Sequence, residues 1–288
     1  MCEPIRQLAV VAPSGPVPRD RFRAGVAILE DLGCAVEVCF DVDGGPAEGF
    51  LAAADETRAA QLLGAAASGA DAVMAARGGY GAYRLLRLLP AAPPGPASTI
   101  IGFSDVTALL FGLSGRWGWR AVHGPNVTTL ADLDAASLDA FEAFLDAPAM
   151  GRRFPGLEGL HPGQGAGPLV GGNLTVLCSL LGTPEEPDLR GRILFLEDTG
   201  EAPYRLDRLL HQLASCGTFP GLAGLAIGDL GAGADDAVRR TLVSLCRGAG
   251  VPGVFGLPAG HGPVNHPLVF GGSARLDGDR GVLETGQR

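Results

Sequence analysis

No lysine occurs anywhere in the 288 residues; all 22 basic residues are arginine. A Walker-type phosphate lysine and a Schiff-base lysine are thereby excluded. There is no C-x-x-C pair either: Cys2, Cys34, Cys39, Cys178, Cys216 and Cys246 are scattered, mostly in apolar segments. That spacing speaks against a structural zinc site and a disulfide scaffold, and points to reduced thiols in a cytoplasmic protein. The histidines form no H-E-x-x-H or H-x-H pattern, so no metal and no cofactor are expected. No apolar run approaches the roughly 18 residues that a membrane span needs, so no membrane partner is expected. Pro13 and Pro16 break the N-terminal stretch too early for a secretory signal. The net charge is −9, and no basic cluster is interleaved with aromatic residues, so nucleic acid is not an expected partner.

What is present suits a folded chain with a sizeable core: 47% of residues are hydrophobic and 18% charged. The 45 glycines and 22 prolines are spread between periodic segments and read as many tight turns. The length fits two ordinary domains or one large one.

Apolar runs and helical spacings alternate along the first half. Leu8–Val11, Ala35–Phe40, Asp71–Ala76, Thr99–Gly102 and Arg120–Val122 read as strands. Helices are expected from Pro18 to Gly33, from Asp55 (a helix cap) to Ser68, through Leu85–Leu89, over Val106–Leu113 and over Ala135–Asp146. An acidic, glycine-rich loop spans Asp41–Gly49, and a proline-rich loop spans Pro90–Pro96. Strands alternating with helices imply right-handed crossovers, and ligands collect at the carboxyl ends of such strands. The stretch 151–166 has no clear period and many glycines and prolines, and is expected to be a linker. Beyond it, Asn173 caps a helix over Leu174–Leu181. Strands follow over Arg192–Leu196, Gly224–Ile227 and Gly253–Phe255, helices over Tyr204–Ala214 and Ala237–Arg247, and a tail of short strands and turns ends the chain. The expected fold class is α/β. A parallel-sheet domain over 1–150 carries a serine at a strand–turn–helix elbow, and a mixed α/β domain over 167–288 carries additional antiparallel structure.

Ser104 sits where the Thr99–Gly102 run turns into a helix. The hydroxyl there stands beside free N–H groups and the positive end of the helix dipole, which favour developing negative charge. Val106 replaces the second glycine of a G-x-S-x-G elbow, and a plain helix cap is the alternative reading. The glycines of Arg77-Gly78-Gly79-Tyr80-Gly81 let backbone amides approach a ligand or line an oxyanion hole. Glu197 and Glu201 follow one strand end; either could orient an imidazole, or both could simply suit a helix N-terminus. His261 lies in the rigid loop Pro258–Pro263, and His123 lies in a turn. His161, His211 and His266 carry no supporting pattern. Serine, carboxylate and histidine together are the complement for acyl transfer. Arg77, Arg84 and Arg205 are candidates to grip a substrate carboxylate. A non-catalytic module that binds an anion through the glycine loops is the alternative from another class.

In order and approximate spacing the chain resembles the LD-carboxypeptidases, serine peptidases that include murein tetrapeptide carboxypeptidases and microcin C self-immunity peptidases. The residues that carry the resemblance are Ala76–Gly81, Gly102-Phe103-Ser104-Asp105, His123-Gly124-Pro125, Gly171–Leu174, Leu196–Glu201 with Tyr204–Arg208, and Gly260-His261. The resemblance implies Ser104 as nucleophile, Glu197 as acid and His261 as base, with the amides of Gly79 and Asp105 as oxyanion hole. Arg77, Tyr80, His123 and Asn173 are candidate substrate-binding positions. The resemblance further implies a cytoplasmic homodimer without metal, acting on a small peptide that is either a muropeptide or a peptidyl-nucleotide.

Overall fold

Runs of unbroken apolar residues set the architecture, because a strand covered on both faces has no polar alternation. The computed structural model describes residues 3–44, 49–95 and 99–286. Residues 45–48 of the acidic loop and Pro96 of the proline-rich loop lie outside the described residues. The chain divides into two compact units, Met1–Pro148 with His266–Leu268, and Ala149–Asn265 with Val269–Arg288.

The first unit runs β1 (Gln7–Val11), α1 (Arg19–Asp31), β2 (Ala35–Val38), α2 (Asp55–Ala67), β3 (Ala72–Ala75), α3 (Ala82–Leu86), β4 (Thr99–Gly102), α4 (Thr107–Trp117), β5 (Arg120–His123) and α5 (Ala135–Asp146). β3 and β4 are buried along their whole length, and β1 beyond its first residue. They occupy the middle of the parallel order β5-β4-β3-β1-β2, while the largely exposed β2 forms one edge. The order reverses between β1 and β3, so their carboxyl ends diverge at a crevice. The helix expected at Val106 begins one residue later, after a single 3-10 turn over Ser104–Val106. The helix expected around Leu85–Leu89 is the short α3.

The second unit continues with β6 (Arg153–Phe154), β7 (Glu158–His161), β8 (Gln164–Asn173), α6 (Leu174–Leu180), β9 (Ile193–Glu197), α7 (Pro203–Ser215), β10 (Gly224–Ile227), α8 (Asp236–Ala249), β11 (Gly253–Phe255), β12 (Leu268–Val269), β13 (Ser273–Asp277) and β14 (Val282–Thr285). β8, β9, β10 and β11 pair parallel, and β13, β14, β6 and β7 add antiparallel partners on both sides. β12 straddles the unit boundary, with Leu268 in the first unit and Val269 in the second, and it belongs to the six-stranded sheet beside β5. α7 buries Leu206, Leu210 and Leu213, α8 buries Val238, Leu242 and Cys246, and the two helices pack together. Such three- and four-residue spacing is one helix face.

Two expectations need correction. Residues 151–166 are not a structureless connector; they hold β6, β7 and the start of β8. Their glycines mark close backbone approach: a Cβ on Gly165 would lie 1.7 Å from the Ala223 carbonyl oxygen. Asp55 is not the cap of α2. Ala54 holds that position, and the Asp55 carboxylate pairs instead with Arg58 and Arg84.

Candidate active site

In the first unit the candidate residues follow strand ends. Ser104 comes two residues after β4 and has φ 64°, alone among the described non-glycine residues in adopting positive φ. A left-handed serine of this kind is uncommon and strained. Phe103 holds the N-cap position of the turn that follows, without a side-chain capping bond, so the helix-cap reading of Ser104 fails. Ser104 keeps partial exposure, whereas Asp105 beside it is buried. The Asp105 carboxylate accepts the Ala82 N–H at 2.8 Å. Burial pushes this carboxyl up, opposed by the hydrogen bonds it accepts and the charge of Arg58.

The Arg77–Gly81 loop follows β3 and packs against the serine. A Cβ on Gly78 would meet the Ser104 Cβ at 2.9 Å and its Oγ at 3.1 Å. The Gly78 carbonyl accepts the Gly15 N–H at 3.1 Å. In a trans peptide the N–H lies opposite the carbonyl, so the Gly79 N–H is turned away from Gly15. Gly79 itself is at φ 117°, a conformation that favours glycine. The loop is thus held in one conformation where Gly78 packs against the left-handed Ser104.

The other first-unit candidates differ in what they can reach. Arg77 donates from Nη1 to the Pro16 carbonyl. Tyr80 is exposed and stands edge-to-face with Phe50, ring centroids 5.7 Å apart. His123 ends β5, is fully buried and packs edge-on against Phe103. Asn126, three residues on, is buried and accepts the Phe103 N–H at 3.4 Å. Its side-chain nitrogen would also lie 3.5 Å from a Cβ on Gly78. Only its place after a strand end hinted at this.

In the second unit β9 delivers Glu197 at the end of an entirely buried apolar strand. Glu197 is fully buried, and its Oε2 lies 2.6 Å from Nδ1 of His261. Glu201 pairs with Arg205 at 3.5 Å instead, so the imidazole meets Glu197. Burial raises the Glu197 carboxyl, with His261 pulling it down. For His261 burial works downward, but the hydrogen bond and charge of Glu197, helped by Asp198 and Asp229, outweigh it and raise the imidazole. With Nδ1 at the carboxylate, a proton that the ring exchanges elsewhere passes through Nε2.

Backbone bonds tie the His261 loop to the strand ends. The Asp198 N–H donates to the Asp229 carbonyl and the Asp229 N–H to the Ala259 carbonyl, each at 3.0 Å. Asn265 is buried and accepts the Gly260 N–H at 3.3 Å, closing the loop. The generic text Pro263-Val264-Asn265 gave no sign of this. Asn173 caps α6 through the Val176 N–H, and its Nδ2 donates to Asp198 Oδ1, each at 3.1 Å. Arg84 and Arg205 are both engaged with carboxylates of the chain. Among the described residues no group of three or more His, Cys, Asp or Glu could hold a metal ion, and no helix is long and apolar enough to cross a membrane.

Comparison with known proteins places the whole chain in a family. Residues 8–124 match the family model described as LD-carboxypeptidase N-terminal domain, and residues 166–276 match LD-carboxypeptidase C-terminal domain. The murein tetrapeptide carboxypeptidase of Pseudomonas aeruginosa is 31% identical, over 95% of this chain and 94% of that protein. The crystal structure of muramoyltetrapeptide carboxypeptidase from Oxalobacter formigenes superposes with TM-score 0.84 at 31% identity, covering 98% of this chain and 99% of that one. The microcin C7 self immunity protein MccF, solved in complex with aspartyl sulfamoyl adenosine, gives TM-score 0.86 at 20% identity, covering 100% of this chain and 98% of that one. At that identity the likeness is one of fold.

Proposed function

Since the chain belongs to the LD-carboxypeptidase family, we propose that it is a serine carboxypeptidase that hydrolyses an L,D-amide bond and releases the terminal D-alanine of a cytoplasmic murein tetrapeptide. In this reading His261 Nε2 takes the Ser104 proton as Oγ attacks the carbonyl carbon. Glu197 fixes the imidazole tautomer and stabilises the imidazolium. The amides of Gly79 and Asp105 receive the oxyanion; such donors are worth about 3 kcal/mol each. His261 then protonates the leaving amine, an acyl-serine remains, and water releases it by the same steps.

The observation that supports this most is the left-handed Ser104 set against Gly78. A non-catalytic anion module gives no reason to hold a serine in strain. Arg77, Tyr80 and Asn173 are retained as substrate contacts; buried His123 would act only through what packs on it. A homodimer is part of the proposal on the strength of the family resemblance, and light scattering at the molecular mass of one chain would remove it.

The test is incubation with a murein tetrapeptide and, separately, with an aspartyl-nucleotide conjugate, followed by mass analysis of products. D-alanine with tripeptide is the expected result. Turnover of the nucleotide conjugate alone would move the assignment to the self-immunity activity that the MccF fold allows. No product from either would favour the binding module.

A further inference from the structure

The peptide group between Gly81 and Ala82 is gripped at both ends by buried charge. Its carbonyl accepts from Nη1 of Arg58 at 3.0 Å, and its N–H donates to Oδ2 of Asp105 at 2.8 Å. Arg58 projects from α2 and has no exposed surface. The same Nη1 donates to the Pro13 carbonyl, and Nε donates to the Ala53 carbonyl at 3.0 Å. Nη2 is anchored on Asp55 Oδ1 at 2.5 Å, and Asp55 is steadied in turn by Arg84 at 2.8 Å. One guanidinium therefore joins the loop that leaves β1 to the loop that leaves β3. These are the two loops already bound through Gly15 and Gly78, beside Ser104.

A buried arginine that only needed a counter-ion would be satisfied by Asp55. This one also binds two carbonyls that frame the glycine loop, and the loop is shaped around it. Gly81 has φ 121°, and a Cβ there would lie 2.9 Å from Arg58 Nη1 and 2.5 Å from Leu51 Cδ2. The planar fork fits this task, since it sends several donors out in one plane. A lysine has three donors on one nitrogen, one fewer than the four acceptors Arg58 serves: Asp55 and the carbonyls of Ala53, Pro13 and Gly81. We infer that Arg58, held by Asp55, is a positioning residue for acyl transfer: it fixes the Gly81 peptide and the Pro13 carbonyl, and so keeps the Gly79 N–H in the direction an oxyanion needs. The inference rests on the acyl-transfer reading of Ser104.

The test compares Arg58→Lys and Asp55→Asn with wild type. Each protein is titrated to its endpoint with a fluorophosphonate, which counts reactive serines, and kcat is then expressed per titrated site. The normalisation removes molecules that failed to fold. For Arg58→Lys we expect kcat per site about 100-fold lower, the scale at which a misplaced group is felt. KM should stay within about threefold, because the loss falls on the transition state. Asp55→Asn should move in the same direction by less. Wild-type kcat per site in Arg58→Lys, with only the number of sites reduced, would mean an ordinary structural ion pair and would overturn the inference. Should Arg58→Lys yield no titratable serine, the double variant R58M/D55N removes both buried charges at once and decides by the same ratio. Failure of the underlying reading looks different: Ser104→Ala would then hydrolyse the tetrapeptide like wild type.

Discussion

Ser104 holds φ 64° at a strain of about 1–3 kcal/mol, a sizeable part of the roughly 5–15 kcal/mol that stabilises a folded domain. Glycine relieves that strain but loses more chain entropy on folding. The balance predicts that Ser104→Gly is more stable than Ser104→Ala by about 0.5–1 kcal/mol, measured by denaturant unfolding. Equal stabilities would argue that the left-handed backbone carries no strain. The His261 imidazole must be neutral to accept a proton, and Glu197 holds it protonated to higher pH than a free imidazole. kcat/KM should therefore fall on acidification with a midpoint above the ordinary value of about 6.5. Glu197→Gln removes the charge that raises it. The acidic limb should move to lower pH while kcat drops by about 1000-fold or more. An unmoved limb would show that another group titrates. Ser104 and Glu197 stood out as candidates because each follows an apolar run that ends abruptly, and His261 because its loop is rigid and glycine-flanked. Arg58, Asn126 and Asn265 did not. Arg58 and Asn126 work through backbone groups far away in sequence, and Asn265 accepts from Gly260 within a loop of generic text, so no local spacing encodes them.

Between strand and helix, the Arg77–Gly81 loop allows a sharper test. Gly78 does not adopt positive φ, so alanine suits its backbone, and the obstacle is the Ser104 side chain, 2.9 Å from where the new Cβ would sit. Gly78→Ala should fold like wild type by circular dichroism yet lose about 100-fold in kcat. Retained activity would mean that the loop and the serine are not in register. Most strands could be read from the sequence, because β1, β3, β4 and β9 carry unbroken apolar runs and sit in sheet interiors. The stretch 151–166 could not. Its strands β6 and β7 are short and form the two edges of their sheet, and the glycines here and at the start of β8 answer to neighbouring backbone rather than to a period of two. Asp55 misled for a related reason: an aspartate at a helix start reads as a cap, and only the fold brings Arg84 to it.

Taken over its full length, the chain divides the residues of the proposed triad between two units: Ser104 belongs to the first, Glu197 and His261 to the second. The order of motifs along the sequence carried the family resemblance, and both family models match. Serine acyl transfer uses proton transfer and backbone donors, so EDTA should leave D-alanine release unchanged. Loss of activity that zinc restores would contradict the mechanism. The most direct test of the central claim is the rate of D-alanine release from a murein tetrapeptide by wild type and Ser104→Ala, with folding matched by circular dichroism. We predict release by the wild type and a rate lower by about 1000-fold or more in the variant. Equal rates would contradict the assignment of Ser104 as the nucleophile.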